Sequence, residues 1–224
     1  MSDQIPTGQM LPADPAASAA GGRGGPRPRL SVRMSARDLL NTAVFAVIFM
    51  VAIWAVGMLG VISPLVWLIT TPLQILAGGI PFMLLLTRVK HAGMVTLFSV
   101  VLALFFLFSG NSPVSTAGII LLGAVADLIC WLGRYRSKWA AIWSCTVFGL
   151  GFLTPFLPLF IDRQAYFASA TWETMGEDYI AATDQLLTAP VLGILAAAVA
   201  VTGFAAGLLG SAVLRKHFIR AGLA

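Results

Sequence analysis

The chain has 224 residues, of which 58% are hydrophobic and only 10% charged, with a formal net charge of +5. Its mean hydropathy is +0.90, whereas an ordinary soluble domain carries about 25% charged residues, so a water-soluble globule is excluded. Several apolar runs approach the roughly 20 residues that a helix needs to cross a bilayer, and strand-type alternation is absent, which predicts a polytopic all-α integral membrane protein.

Residues 1–33 are rich in Pro, Gly, Ala and Ser, with no apolar stripe and no hydrophobic signal region. They read as a disordered cytoplasmic tail and not as a signal peptide; Met34, in "MSARDLLN", is a second candidate start. A membrane domain of six spans is predicted over 34–224. The first span covers 39–60. The second runs to about 87 and is predicted to bend at Pro72 and Pro81; its opening part, 61–71, reads as an outer loop or partial helix. The third covers 94–108 and ends in the turn "SGNSP". The fourth covers 114–132, the fifth 139–160 and the sixth 189–214. Cys130 and Cys145 lie in apolar runs without CxxC spacing and read as small buried residues.

Charge sets the orientation. Arg23, Arg27, Arg29, Arg33 and Arg37 precede the first span, and Arg88 and Lys90 follow the second. Arg134, Arg136 and Lys138 follow the fourth, and Arg215, Lys216 and Arg220 follow the sixth. Six spans put all of these on one side and only Arg163 on the other. The positive-inside rule then predicts that both termini are cytoplasmic, in the plasma membrane of a prokaryote. This distribution accounts for the high isoelectric point without a nucleic-acid partner.

The outer loop, 161–187, is acidic, with Asp162, Glu173, Glu177, Asp178 and Asp184 interleaved with Tyr166, Trp172 and Tyr179. It reads as a solvated loop or as a lid over an outward-facing pocket. Thr174 and Glu177 have capping-box spacing, which predicts a short helix starting there.

Catalytic patterns are missing. His91 and His217 sit among basic residues at the cytoplasmic ends, and the chain has no HExxH, no pair of intramembrane aspartates and no P-loop. No enzyme activity, cofactor or metal is expected. The sixth span carries small-xxx-small pairs, Ala196/Ala200, Gly203/Gly207 and Ala206/Gly210, suited to close helix packing within the monomer. Thr42, Ala43 and Ala46 form a further small patch near the start of the first span, and would dock another helix if they faced outward.

Four stretches in order, "ARDLLNTAVFAVIF", "GGIPFMLLLTRVKHAG", "GAVADLICWLGRYRSK" and "RKHFIRAGL", resemble the Trep_Strep (MptE-like) family of S components of energy-coupling factor (ECF) transporters. The resemblance covers about 35–222. It implies a compact six-helix bundle that binds a vitamin-like micronutrient near the outer face and lacks ATPase activity. It also implies a transmembrane scaffold subunit and two cytoplasmic ATPases as partners. S components of this kind carry an AxxxA scaffold contact on the first span; here Thr42 and Ala46 keep the spacing, while Ala43 is followed by Val47. The ligand is then expected in the outer half, with Trp54, Trp67, Gln74, Asn111, Trp172 and Tyr179 as candidate contacts. Trp and Tyr also gather at membrane interfaces as anchors.

Asp127 is the lone carboxylate inside the spans. It lies seven residues, or roughly 10 Å of helix, before Arg134, in the inner half of the core. An intramembrane carboxylate needs a partner, and two roles are expected for it: bracing the helix ends through Arg134, Arg136 or another group at the cytoplasmic end, or coupling to the scaffold. A stand-alone secondary carrier is the alternative reading, although internal repeats are not evident; a membrane scaffold protein without ligand is another.

Overall fold

The structure, a computed structural model, describes residues 36–88 and 91–220, with the side chains of 37, 170 and 215–220 left aside. The tail 1–33, the Met34 start and Lys90 lie outside these residues, as do the side chains of Arg37, Arg215, Lys216 and Arg220. The described chain is helical throughout and contains no strand.

Helix α1 covers Ala36–Gly57 and continues as a 3-10 turn, Met58–Ile62. Helix α2, Pro64–Arg88, is continuous through Pro72 and Pro81, so residues 64–71 belong to the helix and not to an outer loop. Then come α3, Met94–Phe108, α4, Pro113–Leu132, and α5, Lys138–Gly149. The last of these passes into a 3-10 segment, Leu150–Phe160, that contains Pro155 and Pro158. Three short helices form the segment expected to face outward, called the outer segment for that expectation: α6, Arg163–Phe167, α7, Ala170–Glu173, and α8, Glu177–Leu186. Helix α9, Ala189–Arg220, closes the chain.

Five stretches among the described residues are long and apolar enough to cross a membrane: Asp38–Ile62, Pro64–Arg88, Pro113–Leu132, Lys138–Phe160 and Ala189–Leu214. The remaining predicted span, α3, is a 15-residue apolar helix. At 1.5 Å per residue it measures about 22 Å, against a hydrocarbon core of about 30 Å. It sits between α1 and α4 and buries Val95, Phe98, Ser99, Leu102 and Ala103.

Side-chain pairings give the helix directions. Gly78 lies under Phe49 and Ile53, and Gly57 under Gln74, so α1 and α2 are antiparallel. Phe98 meets Phe49 and Phe105 meets Trp54, which makes α3 parallel to α1. Thr96 meets Asp127 and Ser99 meets Gly123, so α4 turns back along α3. Gly118 packs on Thr154 and Gly133 on Ala140, so the fifth segment reverses again. Gly203 and Gly207 lie on Thr146 and Ile142 of α5, antiparallel, while Ala206 and Gly210 lie on Gly79 and Met83 of α2, in parallel. The start of α1, the end of α2, residues 91–93, the turn 133–137 and the end of α9 therefore share one end of the bundle. Arg88, Arg134, Arg136 and Lys138 stand there, and His91 pairs with Asp38 at 3.6 Å.

In lipid, helix association gains little from the hydrophobic effect and depends on close packing. The centre is an aromatic cluster in which Phe82 stacks on Phe148 at 4.6 Å and Phe49 meets Phe98 edge-on at 5.4 Å. The small residues of α9 are used inside this bundle: a Cβ on Gly207 would stand 3.0 Å from the Ile142 Cα, and one on Gly79 would stand 2.5 Å from the Ala206 Cβ.

The patch at the start of α1 differs from expectation. Thr42 and Ala46 are each 1% exposed and face the core, Thr42 donating its hydroxyl to the Asp38 carbonyl at 2.9 Å. Only Ala43 faces outward. Spacings of four, three and four residues keep Thr42, Ala46, Phe49 and Ile53 on one stripe, and that stripe is the inner one. The outward face of α1 carries Leu40, Val44, Val47 and Val51.

Candidate functional site

A cavity of about 600 Å³ lies at the end of the bundle away from the basic turns, within the 300–1,000 Å³ typical of small-molecule sites. Its floor is the aromatic core, at Phe49, Leu102 and Phe148, and its roof is the outer segment, at Tyr166, Trp172, Met175 and Tyr179.

The 3-10 segment builds one wall. Three residues per turn bring positions i and i+3 into register, and Phe152, Pro155, Pro158 and Ile161 all line the cavity. Proline removes backbone donors that an α-helix needs, and the "TPFLP" run lies inside this segment, which is 3-10 from Leu150 onward. Trp67 lies on Phe156 at 5.0 Å and meets Trp172 edge-on at 5.6 Å. Trp172, itself buried, also packs against Tyr166 and Phe167.

Polar groups are few. The side-chain amides of Gln74 and Asn111 line the cavity without a protein hydrogen-bond partner among the described residues. Thr71 is tied to the Trp67 carbonyl and Ser115 to Ser112. Asp162, exposed at the rim, accepts from the Ala165 amide as the cap of α6. Burial pushes the phenols of Tyr166 and Tyr179 above their ordinary range, so both are neutral at physiological pH.

Two bonds hold the roof down. The Tyr179 hydroxyl donates to the Gly60 carbonyl at 2.8 Å, and the Thr171 hydroxyl donates to the Gly110 carbonyl at 3.0 Å. Arg163 joins the two ends of the outer segment, donating to the Asp184 carboxylate at 2.6 Å, to the Asp184 carbonyl and to the Leu187 carbonyl at 3.1 Å. The outer segment is thus a folded cover. Its third helix starts at Glu177 behind Gly176, whose φ is 85°, and not at Thr174. The Thr174 hydroxyl turns back to the Thr171 carbonyl, so the expected capping box does not form.

Of the candidate contacts, Trp67, Gln74, Asn111, Trp172 and Tyr179 line this one cavity. Trp54 does not: it is 43% exposed and lies edge-on to Phe105 at 5.8 Å. One residue beyond the inward Ile53, it is turned about 100° around the helix, toward the bundle exterior. Phe49, Phe148, Phe152 and Tyr166 also line the cavity, beyond the contacts expected from sequence. The prolines of "TPFLP" and the aromatic residues of the outer loop were the available signals, but apolar residues deep in a span look alike whichever neighbour they face.

Asp127 lies at the other end, 5% exposed. Its carboxylate accepts from the Thr96 amide at 3.3 Å, the Thr96 hydroxyl at 2.9 Å and the Tyr135 hydroxyl at 2.7 Å. Helix α3 begins behind Gly93, which has no side chain to cap it. Thr96 is the third residue of that helix, the position whose N–H a capping side chain normally satisfies. Asp127 caps α3 from the neighbouring helix, where the helix dipole also favours an anion. The expected brace through Arg134 is absent: Arg134 is exposed, and the phenol one residue later makes the bond. Arg134 and Tyr135 both have φ of 52°, and these two left-handed residues fold the turn back under α4.

Among the described residues no group of three His, Cys, Asp or Glu side chains is placed to hold a metal ion. Neither a curated protein nor a solved structure matches the chain. The family described as "Hypothetical bacterial integral membrane protein (Trep_Strep)" matches it over residues 36–220, from the start of α1 to the end of α9. The chain therefore belongs to this family of bacterial integral membrane proteins.

Proposed function

We propose that the chain is the substrate-binding membrane subunit, the S component, of an ECF-type ATP-driven importer. The observation that carries the reading is the covered, aromatic-walled cavity at the end of the bundle opposite the basic turns. With positive charge on the cytoplasmic side, both termini are cytoplasmic, α3 counts as the sixth span and the cavity opens outward. The small molecule binds there under the outer segment, and the energy for its release comes from ATPases in partner subunits.

The contact with a transmembrane scaffold lies elsewhere than on Thr42 and Ala46, because both are buried in the bundle. The outward face of α1, with Ala43 beside Val44 and Val47, is the surface of that helix available for it. Expression of the tagged chain beside the ECF scaffold and ATPases of its own organism is the test. Recovery of both ATPases in a stoichiometric complex is expected, and a chain purified without any ATPase in a suitable detergent or nanodisc would overturn the reading.

A further inference from the structure

We infer that the cavity takes an uncharged, planar nitrogen heteroaromatic with an amide-type edge, and not a carboxylate, phosphate or cationic ligand. The inference rests on the reading of this cavity as the ligand site and goes beyond it to the charge and shape of the occupant.

Charge comes first. Among the described residues no Lys, Arg or His lines the cavity, and the one carboxylate that does, Asp162, is at the exposed rim and already accepts the Ala165 amide. Arg163, the basic residue of the outer segment, is committed to Asp184 and to the Leu187 carbonyl. An anion enclosed here would lose its water and find no counter-ion, and a buried charge without a partner is strongly disfavoured. A cation would be attracted by the aromatic faces, but the carboxylate that would balance it, Asp162, stands on the solvent side and is already bonded to the Ala165 amide, so an enclosed cation has no buried counter-charge.

Shape and hydrogen bonding point the same way. Trp67, Phe156 and Trp172 form adjoining aromatic faces, with ring centroids 5.0 and 5.6 Å apart. Such faces favour offset stacking or edge-on contact with another flat ring. The polar complement is two side-chain amides, Gln74 and Asn111, that no described protein group satisfies. A primary amide offers one acceptor and two donors in a plane, the pattern with which Asn and Gln read the paired donor and acceptor edge of a heterocycle. The Gln74 amide packs against Gly57, where the missing Cβ leaves it room.

The test uses the full chain in nanodiscs and its own tryptophan emission, since Trp67 and Trp172 line the cavity and Trp54, Trp131, Trp139 and Trp143 do not. Lumiflavin and adenine serve as uncharged probes, flavin mononucleotide and adenosine monophosphate as their phosphorylated counterparts, and thiamine as the cation. Small molecules released from the purified protein are identified by mass spectrometry in parallel. An uncharged heteroaromatic in the released fraction, or saturable quenching by an uncharged probe at least tenfold tighter than by its phosphorylated counterpart, is expected. That quenching is lost in Trp67→Phe/Trp172→Phe. The near-isosteric Gln74→Met, with an unchanged melting temperature in the empty state, binds at least tenfold more weakly.

Tighter binding of a phosphorylated probe or of thiamine, or a charged ligand in the released fraction, overturns the inference while leaving the cavity as the binding site. No quenching by either uncharged probe, together with no heteroaromatic released, overturns both. Association with ATPases is scored separately, so failure of the transport reading is distinguishable from failure of the ligand class.

Discussion

Replacing Asp127 by alanine removes the acceptor for three donors at once: the Thr96 amide, the Thr96 hydroxyl and the Tyr135 hydroxyl. Hydrogen bonds to a charged group contribute about 1.5–3 kcal/mol each in soluble proteins. Bonds between membrane helices average nearer 0.6 kcal/mol, with a maximum of about 1.7. The three share one carboxylate and do not add, and the helix-terminus charge contributes a further 0.3–1 kcal/mol or so. We expect Asp127→Ala to cost about 3 kcal/mol, and Asp127→Asn, which keeps one carbonyl oxygen, about 1 kcal/mol. Tyr135→Phe should cost about 1 kcal/mol, and a double-mutant cycle with Asp127→Asn should show coupling of at least about 0.5 kcal/mol.

Reversible unfolding in mixed micelles, followed by tryptophan emission, measures all of these on one scale. Arg134→Ala is the control, because Arg134 is exposed and makes no side-chain bond to Asp127. Ligand binding at the far end of the bundle should be unchanged in Asp127→Asn. A loss under about 0.5 kcal/mol for Asp127→Ala, or a loss as large for Arg134→Ala, would refute the capping role. Abolished ligand binding in a folded Asp127→Asn protein would refute the separation of the two sites.

Three further outcomes follow from the packing and the helix directions. Tyr179→Phe and Thr171→Val each remove one bond between the outer segment and the bundle, and should cost about 0.5–1.5 kcal/mol of local stability; faster amide exchange over 163–187, with α2 and α4 unaffected, is the readout. Gly207→Val places side-chain atoms against the Ile142 backbone, so destabilisation by about 1–3 kcal/mol or more is expected, whereas Gly151→Ala, with nothing within 4 Å of its new Cβ, should lie within about 0.5 kcal/mol of the parent. Single cysteines at Ser137 and Glu173 should be labelled by an impermeant maleimide from the cytoplasmic and outer sides respectively; labelling of both from one side would overturn the helix alternation. The native Cys130 and Cys145 are buried and give a low background.

Trp67, Gln74, Asn111, Trp172 and Tyr179 were legible as a group because the charge pattern separates the two ends of the bundle, and at the end away from the basic residues aromatic and amide side chains stand out against an apolar background. Trp54 belongs to the same zone by depth, but its helix is rotated so that it faces out, and rotation is set by which neighbours a helix packs against. The patch of Thr42 and Ala46 shows the same limit: spacing of four identifies a stripe, and only the positions of α2 and α3 show that this stripe is the inner one. Thr174 and Glu177 have the letters of a capping box, yet the positive φ at Gly176 starts the helix later.

Composition and apolar run length were enough for a helical membrane protein, since lipid leaves the backbone no partner but its own chain. Basic residues were enough to pair the helix ends, because charge asymmetry is a one-dimensional signal along the chain. The tertiary structure alone decided that the 3-10 segment after α5, with Pro155 and Pro158, forms a cavity wall and that the segment 161–187 folds into a cover. It also decided that Asp127 caps a glycine-started helix 31 residues earlier. Each of these depends on contacts between residues distant in sequence, and no local pattern of side chains carries that information.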